Sequence, residues 1–301
     1  MLDSFELSRG SEKHDCIVLE PLRESLHMFG QHYEDGGIPT DLLPSFAALI
    51  LQGLDFLHTE CKLIHTGTSL LPLGRRALLM SPPDLKPDNI MMAFSKAEEQ
   101  EMLRLHAEYE SKTPLPQKKL QDRTIYLSHN NFGPLNHGIG PPMIVDLDLA
   151  MPGDVKQCWS HEIQAAGLQA PEVLIGAPWS YSADIWNLGA VLLYLMQGQD
   201  IFRSPTQTTD FARVVACLGP PPEELLRRQV RPTELFDAKG RLKDVEVDAE
   251  LSFENFVTRV QGEEKALFLK FIRRLLKWVP EDRASAKQLL DDLWLDPSRQ
   301  S

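Results

Sequence analysis

The hydrophobic positions change their spacing along the chain, beginning with a strand-like N-terminus. Phe5 and Leu7 alternate with polar residues, a polar stretch follows at 9–15, and the apolar run 16–19 stands just before Pro21. A period of two predicts a strand, and a short apolar run predicts a second, buried strand that ends at the proline. The first 20 residues therefore predict two short strands joined by a polar turn.

From residue 41 onward the apolar residues recur at steps of three and four, the spacing of one face of an amphipathic helix. The segment 182–197 is apolar on nearly all sides, which predicts a central buried helix. Further helical patterns lie near 222–229, 262–277 and 284–292. The apolar positions of the first helix are Leu42, Leu43, Phe46, Leu49, Ile50, Leu54 and Leu57.

A polar region separates these two apolar helices. Ser95 and Glu98 have the spacing of a capping box, and strong helix formers follow, so a polar helix is predicted near 96–112. Residues 112–142 are rich in Pro, Gly, Asn and Lys, which predicts an extended surface insertion. Ile144 and Val145 then predict a short strand. Few strands and many helices indicate an α+β, mainly α, fold.

Composition narrows the class of protein. The 301 residues carry a formal net charge of −12, which argues against direct nucleic-acid binding because phosphate contacts need clustered Lys and Arg. The four cysteines are scattered without a C-x-x-C pair, as suits a reducing compartment, and neither a signal peptide nor a membrane span is recognisable. We expect a soluble monomer in the cytoplasm, the nucleus or both, with no membrane partner.

The stretch 84–89 carries the strongest chemical signal. Asp84 is followed two residues later by Lys86 and five residues later by Asn89, which is the spacing of a protein-kinase catalytic loop. In such a loop the aspartate orients the substrate hydroxyl and accepts its proton. The lysine neutralises the γ-phosphate, and the asparagine holds a magnesium ion. We therefore predict Asp84 and Lys86 as catalytic residues and Asn89 as a metal ligand.

A second acidic position completes a metal site. Asp146 lies 57 residues after Asn89, directly behind the apolar strand 143–145. A carboxylate there suits magnesium, which prefers hard oxygen ligands. Three further motifs follow in the order found in protein kinases: Ala-Pro-Glu at 170–172, the run 181–186, and Glu-Asp-Arg-Ala-Ser at 281–285.

Together these motifs resemble the hinge and C-terminal lobe of a eukaryotic protein kinase, most closely the SR-protein kinase-like group of filamentous fungi. The likeness runs from about residue 4 to residue 295. It implies remnant N-lobe strands and a hinge at 1–22, a C-terminal lobe at 23–296 with a family-type insertion at 95–142, and a tail at 297–301. The group likeness is carried by 122–127, 176–187, 218–222 and 276–281.

The resemblance also implies an ATP site. Leu19 would be the gatekeeper, Glu20 and Leu22 would offer hinge backbone groups to adenine, and Met91 would form the floor beneath the base. Lys86 and Asn89 would complete the nucleotide site, and ATP and Mg²⁺ are the implied cofactors.

Other positions receive structural roles from the resemblance. Glu172 and Arg283 would form a buried ion pair, Asp184 would anchor the backbone of the catalytic loop, and His65 would brace that loop without acting as a base.

The implied function is that of an ATP-dependent serine/threonine protein kinase, a transferase acting on protein hydroxyls in Arg/Ser-rich segments. The negative net charge of the chain is compatible with a basic protein substrate. A pseudokinase or non-catalytic protein-binding module remains the alternative, and a product that folds poorly is a third.

Three departures from the family pattern bear on activity. About 15 residues precede the predicted hinge strand, and they contain no glycine-rich loop, strand-3 lysine or helix-C glutamate, so we expect a misplaced start at Met1 and a weakly active or inactive chain. The residues 67–83 separate His65-Thr66 from Asp84, and either a translated retained intron or a genuine loop explains this anomalous insertion. Asp148 replaces the usual glycine, where we expect backbone strain. Its carboxylate would either repel phosphate or add a metal ligand.

Overall fold

The computed structural model describes residues 2–9, 12–65, 85–95, 99–121, 123–127, 140–154, 159–230, 235, 242–243, 245–296 and 298. The predicted catalytic Asp84, the insertion 67–83 and the capping residue Glu98 lie outside these ranges. The chain divides into two compact units, Met1–Glu24 with Met91–Pro141 and Ser25–Ile90 with Pro142–Ser301. Within the described ranges every helix is too short or too polar to cross a membrane.

The described elements are short strands and a larger set of helices, as the predicted α+β, mainly α, class requires. The strands are β1 Asp3–Arg9, β2 Glu12–Val18, β3 Leu22–Ser25, β4 Leu63–Ile64, β5 Ile90–Ala93, β6 Gln117–Lys119, β7 Thr124–Tyr126, β8 Pro142–Ile144 and β9 Met151–Pro152. The helices are α1 Leu26–Gly30, α2 Leu43–Thr59, α3 Glu99–Lys112, α4 Pro171–Leu174, α5 Ser182–Gln197, α6 Gln207–Leu218, α7 Glu223–Leu226, α8 Phe253–Phe256, α9 Gly262–Leu275 and α10 Ala286–Leu289.

In the first unit, β1 and β2 form the predicted antiparallel hairpin, with Phe5 opposite Cys16. The strands are longer than predicted, because the pairing extends to Arg9 opposite Glu12. The prediction that 16–19 is buried was wrong: Ile17 is 63% and Leu19 65% exposed. A two-stranded hairpin buries little apolar surface by itself, so an apolar sequence there does not ensure burial.

The region 95–142 contains a polar helix and a small hairpin. Helix α3 confirms the predicted polar helix, and its described side chains are exposed or half-exposed. Arg104 pairs with Glu101 and Glu108 one turn away on either side, the usual stabilisation of a solvated helix. Strands β6 and β7 pair beyond it. The segment predicted as an extended insertion therefore contains a small antiparallel hairpin.

The second unit is built around α5, whose bounds match the prediction. All residues from Ala183 to Met196 in this helix are buried. Trp186 stacks on Phe202 with ring centroids 5.5 Å apart. The helix ends at Gly198, whose φ of 73° lies in the left-handed region that favours glycine. A helix surrounded by protein on every side gives neighbouring loops fixed anchoring points.

Helix α2 confirms the amphipathic pattern that begins near residue 41. Its stripe residues Leu43, Phe46 and Ile50 are buried, whereas Leu49 is partly exposed. The helices α9 and α10 lie within predicted helical patterns, and Phe268 and Phe271 of α9 pack on the ring of Trp294.

Strand β3, helix α1 and helix α6 are among the elements that were not predicted from the sequence. Strand β3 and helix α1 occupy 22–30, just after the proline at which we expected the strand to end. Helix α6 begins with a capping box in which Thr206 and Thr209 exchange hydrogen bonds with each other's backbone, a version that lacks the usual Glu or Gln at the third helical position.

Candidate active site

Two segments of the second unit bring Asn89 and Asp146 together. Asn89 ends a 3₁₀ turn, Pro87–Asn89, and Asp146 follows β8 after Val145. The Val145 amide donates to the Asn89 carbonyl at 3.0 Å, which sets the two segments side by side. The Asn89 side-chain Nδ2 then donates to Oδ2 of Asp146 at 3.3 Å. Two predicted metal ligands that are 57 residues apart in the chain are thus adjacent in space.

The carboxyl group of Asp146 has an unusual environment. Desolvation by the surrounding protein raises its pKa, and a hydrogen bond with the Asp148 side chain and that group's negative charge raise it further. The positive charge of Lys86 acts in the opposite direction and lowers the pKa of Asp146. Together these effects leave the pKa of Asp146 above its ordinary value.

The backbone at Asp146 is left-handed, with φ of 66°. Aspartate tolerates this region better than most residues, although it remains uncommon. Asp148 is not among the described non-glycine residues with positive φ, so the expected backbone strain at that position was wrong. The chain turns at Asp146 instead, and a hydrogen bond from Ala150 N–H to the Leu147 carbonyl continues the turn.

Asp184 in the first turn of α5 anchors the backbone next to the catalytic segment. Its fully buried Oδ2 accepts a hydrogen bond from the His65 amide at 2.8 Å and another from His58 Nε2 at 2.9 Å. The His65 side chain donates through Nε2 to the Val145 carbonyl at 3.0 Å. These contacts agree with the implied anchoring role of Asp184 and bracing role of His65.

His58 was missed by the sequence reasoning. It lies in the last turn of α2, 126 residues before Asp184, and the sequence showed no spacing that would link the two. Its ring also packs against Tyr181, with centroids 4.9 Å apart.

Glu172 and Arg283 form the buried ion pair that the resemblance implied. Both side chains are fully buried, and two parallel hydrogen bonds of 2.7 and 2.6 Å join them. Arg283 also donates to the Ser182 carbonyl at 2.8 Å and lies over the Trp186 ring. The pair ties α4 to the start of α5, since the guanidinium donors reach both elements.

The segment after Asp146 is held by several contacts within the second unit. Strand β9 pairs with β4, and Tyr181 donates to Asp154 at 2.9 Å. Burial, followed by the hydrogen bond and charge of Asp154, raises the pKa of Tyr181 to about 12. Farther along the chain, the rings of Trp159 and Trp179 stack, and an isolated antiparallel β-bridge joins the backbones of these two residues. Sequence reasoning did not identify this set of anchors.

The residues predicted to bind adenine belong to the first unit. Leu19 and Glu20 are exposed between β2 and β3, Leu22 begins β3, and Met91 lies half-buried in β5. Their contacts with adenine stay a prediction. The assignment of Asp84 as the base also stays a prediction, because that residue lies outside the described ranges.

The oxygen donors near Asp146 fit a magnesium ion. Carboxylate and amide oxygens are the hard ligands that magnesium prefers, and in kinases it is held by one or two protein groups together with phosphates. In the described part of the chain no group of three or more His, Cys, Asp or Glu side chains could hold a metal by itself.

Comparison with known proteins agrees with this geometry. The family model described as protein kinase domain matches residues 129–295. A serine/threonine protein kinase of Aspergillus fumigatus is 32% identical over 304 residues, covering 98% of this chain and 68% of the relative. The serine/threonine-protein kinase SRPK of Physarum polycephalum is 25% identical over 97% of this chain and 69% of its own length.

A more distant relative is dual specificity tyrosine-phosphorylation-regulated kinase 3 of Mus musculus, 23% identical over 99% of this chain and 43% of its own length. The family model covers more than half of the chain, and the Aspergillus kinase aligns along nearly all of it. The chain therefore belongs to the eukaryotic protein kinase family, as a serine/threonine kinase.

Proposed function

We propose that the chain carries the catalytic loop and metal site of an ATP-dependent serine/threonine protein kinase. Asp84 accepts the proton of a protein hydroxyl, Lys86 neutralises the transferring phosphate, and Asn89 and Asp146 hold Mg²⁺. The contact between Asn89 and Asp146 carries this proposal, because it joins the two ligands that a kinase uses for its metal. Bound Mg²⁺ would supply charge stabilisation at the phosphates.

The adenine part of the nucleotide site is assigned to Leu19, Glu20, Leu22 and Met91. The 301 residues contain no glycine-rich loop motif before this hinge. Since positioning supplies most of the catalysis in phosphoryl transfer, we propose that these residues alone transfer phosphate slowly or not at all.

We propose Ser residues in Arg-rich protein segments as the substrate. The net charge of −12 supports this choice, because an acidic surface attracts basic peptides. The likeness to an SR-protein kinase-type relative supports it as well.

The test measures transfer from labelled ATP to a Ser-Arg repeat peptide and to a peptide with Glu in place of Arg. We expect slow transfer that favours the Arg peptide and disappears in Asp84→Asn, while the exposed control Asp291→Asn behaves like the wild type. Rapid turnover by these 301 residues would overturn the proposed weak activity. Transfer that persists in Asp84→Asn would overturn the assigned base.

A non-catalytic protein-binding module is the second candidate, and the insertion at 67–83 favours it because it separates the braced His65 from Asp84. This function predicts that the Arg peptide binds with no transfer under any metal condition.

We propose that residues 67–83 are a translated retained intron. Their apolar composition is unusual for an exposed loop. Sequencing the transcript tests this, and a main spliced message that encodes 67–83 would establish a genuine loop. The proposed location, in cytoplasm or nucleus, can be checked by imaging a tagged chain.

A further inference from the structure

The side chain of Tyr181 lies between two parts of the second unit that are far apart in the sequence. Its hydroxyl donates to Oδ1 of Asp154 at 2.9 Å, at the end of the segment that begins with Asp146. Its ring packs on His58 with centroids 4.9 Å apart, and His58 in turn donates to the buried Asp184. One side chain therefore contacts both the segment behind the predicted metal ligand and the group that anchors the catalytic segment.

The segment 146–154 folds back onto the chain that leads into the catalytic segment. Strand β9 pairs with β4, and the Gly153 amide donates to the Lys62 carbonyl at 2.8 Å. Asp154 Oδ2 lies 3.9 Å from Lys62 Nζ, with both side chains more than half exposed, and such a pair contributes little. Of these two side-chain contacts of Asp154, the hydrogen bond from Tyr181 is therefore the stronger.

The Tyr181 hydroxyl is a fixed and permanent donor. The residue directly precedes α5, in which all residues from Ala183 to Met196 are buried. Its ring lies so close to Gly153 that a Cβ at that glycine would overlap it. Burial, together with the hydrogen bond and charge of Asp154, raises the pKa of Tyr181 to about 12, so the hydroxyl keeps its proton at neutral pH.

We propose that Tyr181 is a positioning residue for phosphoryl transfer. Its hydrogen bond to Asp154 fixes the segment that begins at Asp146 and so keeps that carboxylate beside Asn89, which it contacts at 3.3 Å. This inference rests on the metal site of the proposed function. A displacement of about 1 Å in a catalytic site can lower the rate about 100-fold, so a contact outside the reacting groups can still set the rate.

The experiment measures amide hydrogen exchange by mass spectrometry, which reports how often the segment 146–154 opens and needs no catalysis. Tyr181→Phe removes the hydroxyl and keeps the ring on His58, whereas Asp154→Ala removes the acceptor. Asp154→Asn is the conservative variant, because its side-chain oxygen can still accept the hydrogen bond. Tyr109→Phe is the matched control, since it removes the hydroxyl of a 61% exposed tyrosine on α3.

We expect Tyr181→Phe and Asp154→Ala each to speed exchange in the segment 146–154 about 10-fold, the lower end of the effect of a hydrogen bond to a charged group. The double variant should show little further change, because both substitutions break the same contact. Asp154→Asn and Tyr109→Phe should exchange like the wild type, and α9 should be unaffected in every variant.

Unchanged exchange in both Tyr181→Phe and Asp154→Ala overturns the proposal. Exchange in Asp154→Asn that is as fast as in Asp154→Ala overturns it too, because charge and not the hydrogen bond would then hold the segment. Faster exchange that extends equally to α9 would mean a general loss of stability and has the same consequence. Should Tyr181→Phe fail to fold, the two Asp154 variants decide.

Steady-state kinetics with the Ser-Arg peptide connect the segment to the reaction. We expect Tyr181→Phe to lower kcat about 10-fold with an unchanged KM for the peptide, since the variant misplaces Asp146 and leaves peptide contacts alone. Faster exchange with an unchanged kcat overturns the positioning role. If the wild type phosphorylates no peptide, the proposed function fails, and faster exchange in Tyr181→Phe still supports the hold of Tyr181 on the segment 146–154.

Discussion

Arg283 reaches 111 residues back along the chain to bind Glu172 through two hydrogen bonds, with both side chains fully buried. The geometry is bidentate, and the remaining guanidinium donors are used by the Ser182, Lys277 and Trp278 carbonyls. Such a pair costs desolvation energy when it forms, so its contribution is most evident when one partner is removed.

We predict that Arg283→Met lowers the free energy of unfolding by about 3–5 kcal/mol, because it leaves the Glu172 carboxylate buried without its partner. Urea denaturation followed by circular dichroism measures the change. The control is Arg227→Met, which breaks an exposed pair with Glu223 and should have little effect. Equal effects for the two variants would contradict the prediction.

Asp146→Asn should reduce phosphoryl transfer by at least about 100-fold, since it removes a charge that holds the metal at the transferring phosphate. Stability should change little because the side chain is exposed. Single-turnover kinetics with the Ser-Arg peptide, together with urea denaturation, measure both quantities. A large loss of stability in this variant would mean that Asp146 has a structural role instead.

Asp210 should make the stability of the second unit depend on pH. It is buried in the first turn of α6, where it accepts hydrogen bonds of 2.6 and 2.7 Å from the backbone and hydroxyl of Ser204. Desolvation raises its pKa, and the Ser204 bonds offset only part of this effect. The folded state therefore holds the proton more tightly than the unfolded state does.

The stability that protonated Asp210 contributes is fully present below the pKa of about 3.9 that it has in the unfolded chain. This stability is lost as the pH rises through the higher pKa of the folded state. We predict that the wild type loses stability relative to Asp210→Asn as pH rises above about 4, because the asparagine does not ionise. Unfolding curves at several pH values measure the difference. A stability difference between the two proteins that stays constant with pH, or that grows in favour of the wild type, would refute the raised pKa of Asp210.

Gly153 lies directly beneath the ring of Tyr181, and a Cβ at this position would overlap the ring. Gly153→Ala should therefore displace Tyr181 from Asp154 and destabilise the chain by about 1–3 kcal/mol. Gly53→Ala is the matched control. Gly53 lies inside helix α2, and a Cβ there would meet only the flexible side chain of Ile144 in β8. The control should be neutral or stabilising by up to about 1 kcal/mol. Thermal unfolding of both variants distinguishes the two cases.

Much of the helical part of the fold could be predicted from local patterns. The segment 182–197 was recognisable as a buried helix because it is apolar on nearly all sides, and α2 was recognisable from its stripe. Helix α6 was overlooked because its cap uses Thr209 where a longer acidic or amide residue is usual. Strand β3 and helix α1 were overlooked because they are too short to show a period.

The sequence by itself determined the family, the candidate metal ligands and the main helices, because motif order and apolar periodicity are properties of the chain alone. The tertiary structure decided which groups meet. Asn89 joins Asp146, and His58 joins Asp184. It also showed that Ile17 is exposed despite its apolar run. Contacts and burial depend on packing between segments that are distant in the chain, and local patterns do not contain that information.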